Sequence, residues 1–165
     1  MKAKLLRLFL PIALVFTMVS CSKDTDSDSS QEYRLVTSYD YSAEESDLIQ
    51  RINDYRESIG KSRLQIVNHI SYKSYEHNEY MIDNNVVNHD YFDDRVNNIK
   101  HVLGAVRVGE NVAYNFSSPT SVLNAWLNSP GHKANIEGDY THFGVSISVN
   151  PTTGKRYYTN IFMKK

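Results

Sequence analysis

The sequence predicts an α+β domain, on two observations: capped helical periodicities occupy its earlier part, and two alternating apolar runs around a turn-rich loop occupy its end. A third observation concerns what holds it together. Cys21 is the only cysteine, so no disulfide can form within the chain, and burial of apolar and aromatic side chains must stabilise the domain. Twelve tyrosines, six phenylalanines and Trp126 supply that surface.

Ser42-Ala43-Glu44-Glu45 reads as a capping box, followed by Leu48, Ile52, Tyr55 and Ile59 at helical spacing and by Gly60, placed to end the helix. Asn68 can cap a second helix, whose Ile70, Ser74, His77 and Met81 share one face before Asn84-Asn85 weakens it. A short third helix is expected from about Tyr91 to His101. Val106 to Tyr114 reads as a strand made irregular by Gly109. Ser118-Pro119 fits the start of a helix that buries Val122, Leu123, Trp126 and Leu127, and Ser129-Pro130-Gly131 stops it. Phe143, Val145, Ile147 and Val149 alternate with His142, Gly144, Ser146 and Ser148, and a second β-rich run spans Arg156 to Met163. Asn150 to Gly154 between them has hairpin-loop chemistry. No repeat or second domain is visible.

Ahead of this domain the chain carries Lys2, Lys4 and Arg7, then an apolar run from Leu8 to Val19 that is too short to span a bilayer as a helix. Residues 1–20 are therefore expected to be a signal peptide. Met18-Val19-Ser20-Cys21 resembles a lipobox, which implies cleavage before Cys21 and acylation of its thiol, with membrane attachment through buried acyl chains. Ser22 to Ser30 holds no apolar residue, so residues 21–40 are expected to form an acidic tether and residues 41–165 the domain. The expected location is the outer membrane by a lipid anchor; the acidic stretch resembles a surface-export signal, which makes the cell surface one of the two sides left open. Removing Lys2, Lys4 and Arg7 from the 18 basic residues leaves 15 against 19 acidic ones, so no basic footprint for nucleic acid exists.

Six histidines are present. His77 lies on the apolar face of the second helix and reads as a satisfied core residue, whereas His69 and His101 read as helix-end or surface residues. His89 and His132 stand in polar, turn-rich contexts, with Glu110 between them in the chain, and loop ends of this kind can direct side chains into one cleft. Two imidazoles suit zinc or another divalent cation, and the carboxylate can complete the shell or accept a proton from bound water. Their separations match no helical metal motif, so spacing alone leaves a shared site open.

Gly109-Glu110-Asn111-Val112-Ala113, Ala125 to Ile136, Thr141-His142-Phe143-Gly144-Val145 and Tyr157 to Phe162 together resemble the ordered motifs of bacterial CAP domains, the superfamily of the cysteine-rich secretory and pathogenesis-related proteins. Ile52-Asn53-Asp54-Tyr55-Arg56 and Asn88-His89 extend the match over nearly the whole domain. The resemblance implies a three-layer α-β-α sandwich with a central, mainly antiparallel sheet. It also implies a cleft of His89, Glu110 and His132, flanked by Asn111 and Ser129, that can take a divalent metal. Eukaryotic members usually add a glutamate shortly after the tryptophan; Trp126-Leu127-Asn128-Ser129 has none.

Asn111 is expected to satisfy backbone groups, Trp126 to fill the core and Ser129 to cap a turn, since the sequence supplies no orienting acid or oxyanion donors for a Ser129–His132 pair. The leading expectation is a monomeric, cell-envelope binding module for an envelope or extracellular ligand, not an enzyme. The alternatives are a metal-dependent hydrolase of envelope peptide or glycan, with Glu110 activating the metal's water, and a structural display domain with a vestigial cleft.

Overall fold

Ser42 caps the first helix in the computed structural model, which describes residues 33–165: its side chain accepts from the Glu45 amide while Glu45 reaches back to the Ser42 amide. Nine elements follow in chain order: α1 (Ala43–Ser58), β1 (Gln65–Ile66), α2 (Asn68–Asn84), α3 (Phe92–Leu103), β2 (Arg107–Tyr114), α4 (Pro119–Leu127), α5 (Pro130–Ile136), β3 (His142–Val149) and β4 (Arg156–Lys164). The expected signal peptide, Cys21 and the acidic stretch behind it lie outside the described residues. Tyr33 to Asp40, expected in the tether, instead belongs to the packed domain: the Val36 amide donates to His69 Nδ1 at 3.1 Å, and the Tyr39 hydroxyl donates to Glu45 and bonds the Ser146 hydroxyl.

The sheet is mixed, in the order β1-β3-β4-β2. β4 pairs antiparallel with β3 on one side and with β2 on the other, and the two-residue β1 runs parallel to β3. Two alternating faces result. Leu48, Ile52, Val122, Leu123, Trp126 and Ile136, from α1, α4 and α5, pack on Phe143, Val145, Tyr158 and Phe162. The opposite face carries α2 and α3, where Ile70 and Ile99 meet Ile161 and Met163, and Met81 meets Val112 and Tyr157. This is the expected three-layer sandwich. Covering both faces explains why β3 and β4 are buried at consecutive positions despite their alternating sequence.

The polar half of the alternation has its own function. Gly144, Ser146 and Thr159 face α2, where Asn78 donates to the Ser146 carbonyl and accepts from the Thr159 hydroxyl at 2.7 Å. A Cβ at Gly144 would collide with the backbone at Ile70 and Ser71, so this position lets helix and sheet approach closely.

Side chains also occupy backbone groups along both sheet edges. Beyond β1, the Val145 and Ile147 amides donate to Ser71 Oγ and Glu45 Oε1. On the far edge, the Glu110 and Val112 carbonyls accept from Asn135 and Trp126.

Several expectations change. Ser129-Pro130-Gly131 ends α4 but also begins α5, with Pro130 in its first turn, where a missing amide hydrogen costs nothing. Gly109 does not disturb β2, whose pairing with β4 is continuous; it is small because Tyr140 and Asn135 press against it. His69 is buried, accepting from Val36 and donating Nε2–H to Asn98 at 2.7 Å. Ile59, expected on the buried face, is 42% exposed because α1 ends at Ser58. Asn68 begins α2 rather than capping it, and bonds Thr37 and Tyr41 instead.

Gly144→Ala tests the close approach. Because α2 backbone would have to move, the substitution should cost at least about 2 kcal/mol in urea unfolding and lower the melting temperature by about 5 °C or more. A loss below about 0.5 kcal/mol would show that α2 can shift freely.

Candidate functional site

Glu110 sits in edge strand β2, facing the α2–α3 layer, and its side chain is 1% exposed. Burying a carboxylate is costly unless it is paired and hydrogen-bonded. Arg95, in the first turns of α3, supplies a two-pronged contact: Nε donates to Oε2 and Nη2 to Oε1, each at 2.8 Å. His89 Nδ1 meets the same Oε1 at 2.8 Å from a half-exposed ring. His77 Nε2, on α2, stands 4.0 Å from that oxygen and donates to the Asn88 carbonyl.

The loop that carries His89 is tightly specified. Asn85 ends α2 in the left-handed region at φ 52°, which asparagine tolerates. Asn88 then accepts from the Asp90 amide and donates to its carboxylate, while Arg95 Nη1 holds the Asp90 carbonyl at 2.8 Å. Tyr91 follows at φ 57° with 63% of its surface exposed, an uncommon backbone state for a large residue. An open groove of about 480 Å³ runs beside His89, bounded by Asp90, Tyr91, Phe92, Asp93 and Asp94.

Asn111 points to the opposite face of the sheet from Glu110. Its Nδ2 donates to the His132 carbonyl, and Asn135 Nδ2 bridges Asn111 Oδ1 and the Glu110 carbonyl, which fixes α5 against β2. His132 is half-buried and lies within reach of the His89 charge; burial first, then that charge, lowers its pKa. Ser129 stands at the start of α5, but its side chain makes no capping bond, and no bond joins it to His132 among the described residues. The structure thus pairs His89 with Glu110, ties Asn111 to the backbone of His132, and gives Ser129 no chemical partner.

The donor set does not fit the metal shell expected from His89, His132 and Glu110. Both Glu110 oxygens are engaged by Arg95, and His89 turns Nδ1 to the carboxylate. Among the described residues no group of three or more His, Cys, Asp or Glu side chains is placed to hold an ion. Glu110 is a charge-compensated residue that orients His89, which leaves His89 Nε2 as the ring atom free to meet a ligand.

Arg95 and the proximity of His77 were not foreseen. A signal for Arg95 existed: a cation behind Asp93 and Asp94 near a helix N-terminus opposes the helix macrodipole, and such local conflicts mark sites built by tertiary contacts.

Protonation gives the cluster a testable signature. Burial would raise the Glu110 pKa, but hydrogen bonds from His89 and Arg95 and the Arg95 charge hold it below 4.5. Burial holds His69 and His77 below 6.5. All three bind protons more readily when unfolded, so stability should decline as pH falls below 6.5 and again below 4.5. Arg95→Met should cost about 3–5 kcal/mol at pH 7 by leaving Glu110 unpaired, and Arg95→Met with Glu110→Gln should recover most of it and make the lower-pH decline shallower. Additive losses in urea unfolding would refute this coupling.

With the geometry established, comparison places the chain among known proteins. Residues 49–162 match the family model described as CAP, cysteine-rich secretory protein family. An uncharacterized membrane protein of Bacillus subtilis, YlbC, is 31% identical over 127 residues, covering 73% of this chain and 34% of its own. A second Bacillus subtilis protein, YkwD, is 31% identical over 108 residues, covering 63% and 42%; this chain therefore spans well under half of either relative. Among solved structures, an outer surface protein of Borrelia burgdorferi aligns at TM-score 0.69 and 21% identity over 77% of this chain and 96% of that one. An extracellular SCP-domain protein of Bacillus anthracis aligns at 0.63 and 26% over 78% and 45%. From the motif order, the sandwich and this match together, the chain belongs to the CAP, or cysteine-rich secretory protein, family.

Proposed function

We propose that this protein is an extracytoplasmic binding module, held at the outer membrane by a lipidated Cys21 and facing the exterior, whose CAP domain receives a polar peptide or glycan segment in the groove beside His89. The observation that carries the reading is the His89–Glu110–Arg95 chain. Arg95 neutralises the buried carboxylate, the carboxylate orients the ring, and the ring presents Nε2 at the surface next to exposed Tyr91. Tyrosine adds an amphipathic contact surface for a sugar or peptide. The likeness to an outer surface protein and to an extracellular protein supports the location, and no helix among the described residues is long and apolar enough to cross a membrane.

Metal-dependent hydrolysis is less well supported, because Arg95 already engages the carboxylate that would activate the water. A display domain with a vestigial cleft would leave the compensated carboxylate without a ligand to serve.

Two experiments test these readings. Envelope peptide and glycan fragments titrated into the full chain should shift amide resonances around His89 to Phe92, and His89→Ala should weaken binding about tenfold while the fold is retained. Fragments that bind elsewhere, or turnover dependent on added zinc, would overturn the module. Cys21→Ala should move the protein from the membrane to the soluble fraction and abolish incorporation of labelled fatty acid. Retention at the membrane without label would refute the anchor.

A further inference from the structure

Away from His89, at the end of the sheet where β3 begins and β4 finishes, lies a cavity of about 400 Å³ lined by Arg56, Lys61, Ser62, Arg63, Thr141 and Lys164, among others. Four cations border it against one acid, Asp139. Two are already compensated: Arg63 faces Asp54 and Glu57, and Lys164 faces Asp139 at 2.8 Å. Arg56 and Lys61 have no carboxylate partner among the described residues.

Arg56 is the distinctive member. It is 3% exposed, and its Nε and Nη1 donate to the carbonyls of Ser62, Ile136 and Gly138, which fixes the guanidinium and closes the end of α5. Nη2 has no acceptor among the described residues, although the side chain borders the cavity. A buried cation held only by carbonyl dipoles is electrostatically incomplete, and burial lowers its pKa against the weaker pull of Asp139. Arg107 adds positive charge behind the wall, stacked 4.4 Å over the Tyr140 ring and bonded to the Asp139 carbonyl.

We propose that this cavity is an oxyanion site for a phosphate ester, with Arg56 Nη2 and Lys61 as principal donors and Ser62 and Lys164 at the rim. The fixed guanidinium supplies direction and Lys61 supplies an uncompensated charge at the same cavity, a combination suited to an oxyanion. Arg56 has a structural duty at α5, but that duty uses three hydrogen bonds from Nε and Nη1 and leaves Nη2 without a partner among the described residues. The site is independent of the groove beside His89, and either can fail without the other.

The test uses the full chain in non-ionic detergent, titrated with inorganic phosphate, glycerol 3-phosphate and dihexanoylphosphatidylglycerol at matched ionic strength, and followed by amide shifts and calorimetry. Saturable binding of at least one probe is expected at about 1 mM or tighter, with shifts at Lys61 to Arg63 and Gly138 to Thr141. Lys61→Gln should weaken it about tenfold, and Lys61→Arg should retain it. Preference for the lipid identifies a headgroup as the source, and preference for the soluble probes identifies a free phosphate ester. Arg56→Lys also disturbs α5, so Lys61 carries the decision. Absence of saturable binding up to about 20 mM, or binding unchanged by Lys61→Gln, overturns the proposal.

Discussion

Both faces of the β3–β4 pair lie under helices, and that constraint governs the rest of the domain. A sheet covered on both sides can leave no backbone group or polar side chain facing its core unpaired without a cost of about 1–3 kcal/mol each. The α2 face meets most of this requirement by combining apolar contacts with hydrogen bonds through Ser71, Asn78, Ser146 and Thr159, with His77 Nδ1 the buried exception there, and it brings the helix close enough for them by keeping position 144 free of a side chain. The opposite face is more apolar, built on Trp126, Phe143, Tyr158 and Phe162. Without a disulfide inside the domain, these two interfaces must supply its stability.

Glu110 is where that constraint becomes chemistry. A carboxylate on the α2–α3 face of the edge strand must be neutralised, and Arg95 does so across the start of α3. The same pairing fixes the loop, because Arg95 also grips the Asp90 carbonyl beside His89. Stability and the placement of the His89 ring therefore share one buried ion pair. Removing the arginine would both strand a charge and release the loop that carries the imidazole.

Much of this fold is legible in the sequence where local chemistry decides it. The capping box at Ser42, the proline at the start of α4 and the hairpin loop after Val149 each specify their element with nearby residues. The motif order makes the three-layer arrangement readable as well. What escapes is long-range. β1 is two residues long and exists through its partner β3; His69 is buried because residues ahead of α1 fold back over it. The site divides in the same way. His89 and Glu110 stand out by context and do meet, but the role assigned to the carboxylate depends on Arg95, fifteen residues away in sequence. Spacing reports which residues can share a cleft and carries no information about a counter-charge arriving from another helix.

The occupied edge groups bear on how copies of this domain could meet. A lipid-anchored domain would be confined to two dimensions at high local density, where exposed strand edges on neighbouring copies could zip together by backbone pairing. Here the outward amides of Val145 and Ile147 and the outward carbonyls of Glu110 and Val112 are already occupied by side chains from α1, α2, α4 and α5. Those four groups are unavailable to an added strand, which would find fewer backbone partners along either edge.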